Sequence, residues 1–475
     1  MELRLGVDVA CRAAHQASLA DERGNFIWSG HRFRTSVGDL ERLWARLCCA
    51  ASDGTERADG TAGVVNVTVI MEPTRNAWVP LAAWFRRHGA RVLLVPPERS
   101  ADLRAYYAKH TKSDRLDSRL LARIPLLHPE GLHPETGLGP GEALRRAARL
   151  HSSLVHRRSQ SLARLDALLE ILGPGWHTAL GADLANKTPL RFLAAGYADP
   201  HTIKRLGRAR IARFLYRHSR GAWGDTQAAE LIAVAHETLN LWHEDLDYPD
   251  LAEDIALEAR LALQLTQEII ELDERTALLL AAADPAGIIT SVPGVGPITA
   301  AVIAGRLGDP TRFTSLAAVR SFTGMVPALD ASGASGRHGG PTKRGDALLR
   351  QALFMAADAA RRRDPTLAAK YHRLMVQAGK HHNSALCHIA MTLLNRIVAC
   401  WRNSQPYVLR DTDGREITPH QARTIIAERY QIGAELRAQR RTTHGTDRRS
   451  KESHRAPSTG PSNTHANEPA RLDIR

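Results

Sequence analysis

Two apolar segments near the N-terminus each end on a carboxylate, which limits the folds open to this chain. In LRLGVDVA (residues 3–10), Asp8 stands between two valines, and the β-branched run VVNVTVIME (64–72) ends on Glu72. A carboxylate at the edge of an apolar core is costly unless a cation or hydrogen-bond donors compensate it. We therefore interpret both segments as buried strands that carry functional acids at their ends.

The surrounding segments predict an α/β domain. Residues 15–34 are typical of a hairpin that turns at 22–25, and Ser36 is a suitable N-cap for a helix over 37–52. After the strand at 64–72, the pattern predicts a helix that ends at Gly89, a strand stopped by a proline pair, and helical spacing over 100–124. Three strands, helix, strand, helix, strand, helix is the order expected of a mixed sheet.

A later segment, HTKSDRLDSRLLAR, carries two more acids, Asp114 and Asp117. Residues three apart share one face of a helix. Four converging carboxylates would bind two Mg²⁺ ions about 3.5–4 Å apart, the geometry of phosphoryl transfer, and Mg²⁺ needs no histidine or cysteine ligand. The alternatives are structural: a loop cap for Asp8, an ion pair of Glu72 with Arg75, and a solvated helix face. The combined pattern favours a metal site.

The middle of the chain is helical. Residues 141–172 are rich in arginine, and residues 252–283 have near-heptad apolar spacing. A mixed, polar stretch separates these two helices. They predict a coiled-coil arm, and with it an oligomer, or else two helices that pack together within one monomer.

A glycine-punctuated segment, PGVGPITA (293–300), precedes another predicted helix. The backbone N–H groups around Gly294 and Gly296 could hold a phosphate, as in a helix-hairpin-helix DNA-binding motif. The alternative is a plain turn at the start of a helix.

The segment FTGMVPALDASGASGRHGGPTKRGDALLRQAL (322–353) carries two serines, Ser332 and Ser335, that each precede a glycine. A serine hydroxyl can attack phosphorus when its proton is removed and the phosphate charge is neutralised. No histidine or aspartate stands at a diagnostic spacing, so the residues alone favour a flexible basic loop over a catalytic serine. Four cations are predicted to contact nucleic acid: Arg337, Lys343, Arg344 and Arg350.

Charge and cysteine usage narrow the class of protein. The net charge of +14 and the pI of about 10.0 favour a polyanionic partner, with nucleic acid as the default. Five cysteines without a CxxC pair argue against a disulfide framework or a cysteine zinc site and fit a protein of a reducing cytoplasm. No secretory signal and no apolar run of membrane-spanning length are visible, so we predict no membrane partner.

Together these motifs resemble the DEDD transposases of the IS110 insertion-sequence family. The similarity covers residues 3–130, with GVDVA, MEPTRNAW and DRLDSRLLAR, and residues 286–405, with SVPGVGPITAAVIAGRLGDPTRF and SFTGMVPALDASG. It implies a RuvC-like, ribonuclease-H-like domain and a mostly helical C-terminal transposase domain. The implied Mg²⁺ ligands are Asp8, Glu72, Asp114 and Asp117, and the implied nucleophile is Ser332, with Ser335 as the second candidate.

The resemblance also implies DNA donor and target substrates, a bridge RNA as guide, and a homodimer or homotetramer. One departure is Arg75, which stands where many family members have glycine. The predicted domains are the metal-binding domain (1–140), a helical or coiled-coil region (141–285), the serine transposase domain (286–405), a helical extension (406–435) and a disordered basic tail (436–475). The rival functions are a RuvC-like junction nuclease that uses water as its nucleophile, and a non-catalytic nucleic-acid-binding protein.

Overall fold

The computed structural model describes residues 2–52, 66–107, 113–129, 132–135, 141–181, 183–332 and 335–441, and over 327–332 and 335–341 it describes the backbone path alone. The chain forms two compact units, Met1–Gly139 and Pro140–Arg475.

The first unit contains a mixed sheet with helices. Its elements are β1 (Leu3–Asp8), β2 (His15–Ala20), β3 (Phe26–Phe33), α1 (Val37–Ser52), β4 (Val67–Met71), α2 (Trp78–Arg87), β5 (Arg91–Leu94), α3 (Pro97–Tyr107), α4 (Asp114–Leu127) and the two-residue β6 (His133–Pro134). The strands lie in the order β3-β2-β1-β4-β5, with β6 at the β5 edge. This element order confirms the predicted one, and it is consistent with a ribonuclease-H-like fold.

Both faces of the sheet are covered because its central strands are apolar on both sides. On one face, side chains such as Leu5 and Val69 form a core with α1 and α2. On the other face, Ile70 and Leu93 pack with α3 and α4. Every residue of β4 is buried, which explains why its sequence is a continuous β-branched run rather than an alternating one.

The helical spacing predicted over 100–124 belongs to two helices. Ser113 caps the second one, α4, by accepting a hydrogen bond from the Leu116 amide through its side chain. The predicted N-cap of α1 is also present, because the Ser36 hydroxyl accepts from the Asp39 amide at 3.3 Å.

The second unit is mostly helical. Its elements are α5 (Gly141–Leu172), α6 (Gly175–Ala179), α7 (Lys187–Ala194), α8 (Pro200–Ser219), α9 (Asp225–Trp242), α10 (Tyr248–Ala283), α11 (Pro297–Leu307), a 3-10 turn (Pro310–Arg312), α12 (Leu316–Thr323), β7 (Pro327–Ser332), β8 (Ser335–Pro341), α13 (Ala347–Ala360), α14 (Pro365–His372), a π-helical turn (Arg373–Gln377), α15 (His382–Arg402) and α16 (Pro419–Arg429).

The two long helices, α5 and α10, pack against each other within the chain. His151 contacts Asp273 at 3.0 Å, and the Ser161 hydroxyl donates to the Glu258 carbonyl at 3.1 Å, so the two helices run antiparallel. Of the two arrangements left open by the heptad spacing, the intramolecular one is present.

Two hydrophobic cores fill this unit. One lies in the helical insert between α5 and α10, around Trp176 and Phe192. The other is built from α11 and the helices that follow it, around Ile303 and Leu353. The chain is also helical over 434–441, six residues into the predicted disordered tail, whose remainder lies outside the described residues.

Among the described helices, α15 alone has the length and hydropathy of a membrane span. The expectation that no segment reaches this composition is therefore wrong for α15. Its apolar residues, including Ile389, Leu393 and Leu394, are buried in the C-terminal core, as in the central helix of a globular domain.

Candidate functional site

Asp8 and Glu72 lie at the same edge of the sheet. Strands β1 and β4 are parallel neighbours, with Leu3 opposite Val67 and Val7 opposite Met71. Asp8 is the last residue of β1, and Glu72 follows the last residue of β4. Because the register continues by one residue, these two carboxylates leave the sheet side by side at its carboxyl edge.

Helix α4 crosses β1 in close contact, and Gly6 makes this approach possible. A Cβ atom on Gly6 would overlap the Ser118 carbonyl oxygen and the Ala122 amide nitrogen. At the same level the Ser118 hydroxyl forms a buried hydrogen bond of 2.8 Å with Ser18 of β2, the residue opposite Gly6. The helix is therefore fixed on the sheet at one defined point.

The direction of α4 brings its acids towards Asp8. Near its start the Arg115 side chain donates to the Ser29 hydroxyl at 3.0 Å, and near its end Arg123 donates to the Gly24 carbonyl at 3.1 Å. Gly24 lies in the β2–β3 turn, at the end of the sheet opposite Asp8. The first turn of α4 therefore points to the edge that carries Asp8.

The distances along α4 and along β1 show that Asp114 and Asp8 lie at a similar level. Asp114 stands four residues before Ser118, about 6 Å along the helix, while Asp8 stands two residues beyond Gly6, about 6.6 Å along the strand. Both acids therefore lie a similar distance beyond the Gly6–Ser118 contact. Asp117 belongs to the same turn.

The four acids share one end of the sheet without forming a closed ligand cluster. Within the described parts of the chain, no three acids, histidines or cysteines are grouped so that they could hold a metal ion. One cause is visible: Asp117 pairs with Arg104 of α3 at 3.0 Å, and the carboxylate side chain is only 14% exposed. Arg104 therefore occupies one of the predicted metal ligands.

The Glu72 turn has a strained backbone at Arg75. This residue adopts a positive φ of 47°, a conformation that favours glycine. That conformation supplies a physical reason for the glycine that the resemblance places here. Glu72 and Arg75 are both described, and no ion pair joins them, so the predicted structural alternative for Glu72 is absent.

We expect Gly6→Ala to loosen the contact that positions the acids. The added methyl group cannot fit against the backbone of α4, and such overpacking costs about 3 kcal/mol, equivalent to roughly 100-fold faster exchange of amides that open with this contact. Hydrogen-exchange mass spectrometry on the full chain should show this in peptides from β1 and α4.

Gly38→Ala in α1 is the matched control, because a Cβ atom there meets only the Arg42 side chain at an ordinary 3.5 Å. Unchanged exchange in Gly6→Ala would mean that α4 does not hold this position.

The two candidate nucleophiles lie at the tip of a hairpin. Ser332 is the last residue of β7, Ser335 is the first of β8, and they are direct partners in the antiparallel register. The residues alone predicted a flexible basic loop here, and the structure instead shows two paired strands. Because both serines lie at this tip, their spacing in the sequence did not distinguish which of them is the nucleophile.

The base of this hairpin is held by buried contacts. Gly324 and Gly345 touch through their backbones, and a Cβ atom on either would overlap the other segment. Asp346 caps α13 by accepting from the Leu349 amide at 2.8 Å, and it forms an ion pair with Arg306 of α11. The hairpin is therefore tied to α11 and α13.

The cations predicted to contact nucleic acid differ in their exposure and in their hydrogen bonds within the chain. Lys343 and Arg344 are exposed. Arg350 is only partly exposed and donates to the Thr323 carbonyl at 2.9 Å, which gives it a structural contact. The side chain of Arg337 lies outside the described atoms.

The glycine hairpin before α11 has a mixed role. Gly294 has a φ of +87°, and a Cβ atom there would overlap the backbone of Ala360 in α13, so this glycine serves close packing. Gly296 is exposed at the N-cap of α11, with no atom near its open side. The N–H groups at this helix start are the part of the motif that a phosphate could approach.

Sequence reasoning missed a group of arginines on α5 and α11. Burial, together with the neighbouring charges of Arg306 and Arg145, lowers the pKa of Arg149. Burial also lowers the pKa of Arg312, with a smaller contribution from Arg145. Neighbouring acids oppose part of these shifts, Asp346 and Glu142 near Arg149 and Asp309 near Arg312. The only sequence signal was the four-residue spacing of Arg145 and Arg149 on a helix.

Two family models match the chain. A DEDD-type transposase model of the IS110 family matches residues 5–174, which include all four acids, and the model described as Transposase IS116/IS110/IS902 family matches residues 286–372, which include both serines.

Similar proteins come from insertion elements of bacteria. The IS110 43.6 kDa protein of Streptomyces coelicolor is 28% identical over 54% of this chain and 61% of its own length. The IS900 42 kDa protein of Mycobacterium paratuberculosis is 26% identical over 67% of this chain and 78% of its own length. The IS116 44.8 kDa protein of Streptomyces clavuligerus is 26% identical over 68% of this chain and 80% of its own length. With both family models matched in order, the chain belongs to the IS110 family of transposases.

Proposed function

We propose that this chain is the transposase of an insertion sequence and that it cuts and rejoins DNA with a serine nucleophile and metal-binding carboxylates. The observation that carries this proposal is the meeting of Asp8 and Glu72 at one sheet edge, towards which the acid-bearing turn of α4 points. The first unit would then be a RuvC-like domain. The predicted division of the second unit into a helical region and a serine domain is supported by its two separate cores.

A DEDD transposase domain implies a divalent metal ion, and the chemistry of the residues fits one. Asp8, Glu72, Asp114 and Asp117 offer only carboxylate oxygens, the donors that Mg²⁺ prefers. When bound, one or two such ions would neutralise the phosphate charge and polarise the scissile bond. Arg104, which pairs with one oxygen of Asp117, would compete with a metal ion for that carboxylate.

The covalent step is assigned to Ser332. Its Oγ atom attacks the scissile phosphorus, the bond from phosphorus to the 3′ oxygen breaks, and the serine proton is transferred to give a free 3′-OH. A phosphoserine ester then links the protein to the 5′ end of the strand. A 3′-OH from a partner strand reverses the step, so strands are exchanged without an external energy source.

RNA guidance and oligomerisation belong to the same proposal. The positive charge of the chain supports a nucleic-acid partner, and RNA is compatible with it as well as DNA. Leu150, Leu257, Leu261 and Leu278 of the paired long helices remain exposed, which supports assembly into a dimer or tetramer through this region.

The deciding experiment is a strand-transfer assay with Mg²⁺, the RNA transcribed from the DNA flanking the gene, and donor and target duplexes. A denaturing gel that retains protein–DNA adducts separates the alternatives. A serine-dependent adduct with recombinant product supports the proposal. Cleavage without an adduct indicates a nuclease that uses water, and no chemistry at all indicates a binding protein.

We expect Arg104→Gln to tighten Mg²⁺ binding by about 1.4- to 5-fold, because a partly exposed ion pair is worth roughly 0.2–1 kcal/mol and its loss removes a competitor for Asp117. Calorimetric titration of the full chain with Mg²⁺ measures this without any reaction. Arg42→Gln is the control, since Arg42 pairs with Asp39 on the surface of α1. Weaker or unchanged Mg²⁺ binding in Arg104→Gln would contradict a competing role for Arg104.

A further inference from the structure

A strongly basic segment lies in the part of the chain that neither family model matches. Residues 187–220 contain nine lysines and arginines and one aspartate, a balance of +8 within a chain whose net charge is +14. The family models end at residue 174 and resume at residue 286. The proposed cutting and joining of DNA uses none of these residues.

Helix α8 presents much of this charge on one face. The helix is kinked at Gly207, which has a φ of 71°. Beyond the kink, Ile211 and Leu215 are fully buried in the core of the helical insert. Arg210, Arg213 and Arg217 are exposed on the other side. Their spacing of three and four residues forms one stripe about 10 Å long.

The core holds this stripe in place. The Phe214 ring packs on Tyr197 with centroids 5.1 Å apart, and the Thr188 hydroxyl of α7 donates to the His218 carbonyl at 3.1 Å. The second contact brings α7 beside the end of α8, so the exposed Arg191 extends the positive surface. Partners would therefore meet a preorganised face rather than a mobile arm.

These cations are not neutralised within the described structure. The one acid of the segment, Asp199, is used as the N-cap of α8 and accepts from the His201 and Thr202 amides. Arg208 pairs with Asp225, and both side chains are largely exposed. Arg210, Arg213 and Arg217 form no ion pair with any residue that the structure describes.

We propose that the face formed by Arg210, Arg213 and Arg217 binds the phosphate backbone of duplex DNA. Arginine binds phosphate oxygens through a planar set of donors and releases counterions from the duplex. The major groove of B-form DNA admits an α-helix, whereas that of A-form RNA is deep and narrow. DNA as the partner rests on the proposed function, but the binding itself requires neither the carboxylates nor the serine.

The test compares two triple variants of the full chain. The first replaces Arg210, Arg213 and Arg217 by glutamine. The control replaces Arg157, Arg275 and Arg423, which are exposed arginines spread over α5, α10 and α16, so the loss of charge is equal. Binding to a labelled DNA duplex of arbitrary sequence and to an RNA duplex of the same sequence is followed by fluorescence anisotropy over a salt series, with EDTA present.

The α8 variant should bind the DNA duplex on the order of 100-fold more weakly near 0.1 M salt, with a salt dependence reduced by about 2 to 3 in slope. The control should lose much less. Equal losses in both variants would overturn the proposal, because they would indicate unspecific charge. A loss confined to the RNA duplex would overturn the assignment to DNA.

Two features keep the result interpretable. Circular dichroism checks that each variant is folded, and Arg213→Gln alone, with an expected slope change of about 1, replaces the triple variant if the latter does not fold. Since the assay contains no divalent metal, a failure of the catalytic proposal would not alter it.

Discussion

Ser332→Ala should abolish the covalent protein–DNA adduct and strand exchange, with a loss of at least about 10³-fold, because removal of a nucleophile eliminates the covalent pathway. Binding to nucleic acid should remain, since alanine changes neither the charge nor the hairpin. The measurement is the strand-transfer assay on a denaturing gel that retains adducts.

Ser335→Ala is the matched control for this experiment. Ser335 is the direct partner of Ser332 across the hairpin, so both substitutions remove a hydroxyl from the same tip. An adduct that survives Ser332→Ala and disappears in Ser335→Ala would move the nucleophile to Ser335. An adduct that survives in both variants would refute the serine mechanism.

Asp8→Asn should abolish Mg²⁺-dependent cleavage, again by about 10³-fold or more, because the amide keeps the shape of the side chain and loses the charge that would hold the metal ion. Asp8 ends β1 beside Glu72, at the sheet edge approached by the first turn of α4. Cleavage of the labelled duplexes in the same assay measures the effect. Nucleic-acid binding should persist.

Glu41→Gln provides the control for charge, since Glu41 is an exposed acid on α1 of the same unit. Cleavage that survives Asp8→Asn would exclude a metal-binding role for this residue. Read with the serine variants, the outcome separates three functions. Loss in both Asp8→Asn and Ser332→Ala indicates the recombinase, loss in Asp8→Asn alone indicates a water-using nuclease, and the absence of cleavage already in the unaltered chain indicates a binding protein.

Local sequence was sufficient for the elements of the first unit and for the position of its acids along the chain. The continuous β-branched run at β4 is apolar because both of its faces are buried, and Ser36 caps α1 through a contact three residues away. Such signals depend on near neighbours. The parallel pairing of β1 with β4, which brings Asp8 and Glu72 to one edge, was shown by the structure.

The tertiary structure decided the contacts between residues that are distant in sequence. The place of α4 depends on Gly6 and on the Ser18–Ser118 hydrogen bond, whose partners are 100 residues apart. The Arg104–Asp117 pair likewise depends on how two helices meet. The glycine-rich segment predicted to be a loop forms the hairpin of β7 and β8, whose backbone pairing is visible only in the structure.

The same distinction explains the long helices. The heptad spacing of α5 and α10 indicated that each helix has an apolar stripe. A helix of the same chain or of another chain could bury such a stripe equally well. Only the fold shows that the two stripes are joined within one chain. The sequence by itself therefore determined which residues carry chemistry and which faces are apolar, while the tertiary structure decided their partners, because packing contacts are made between residues distant in sequence.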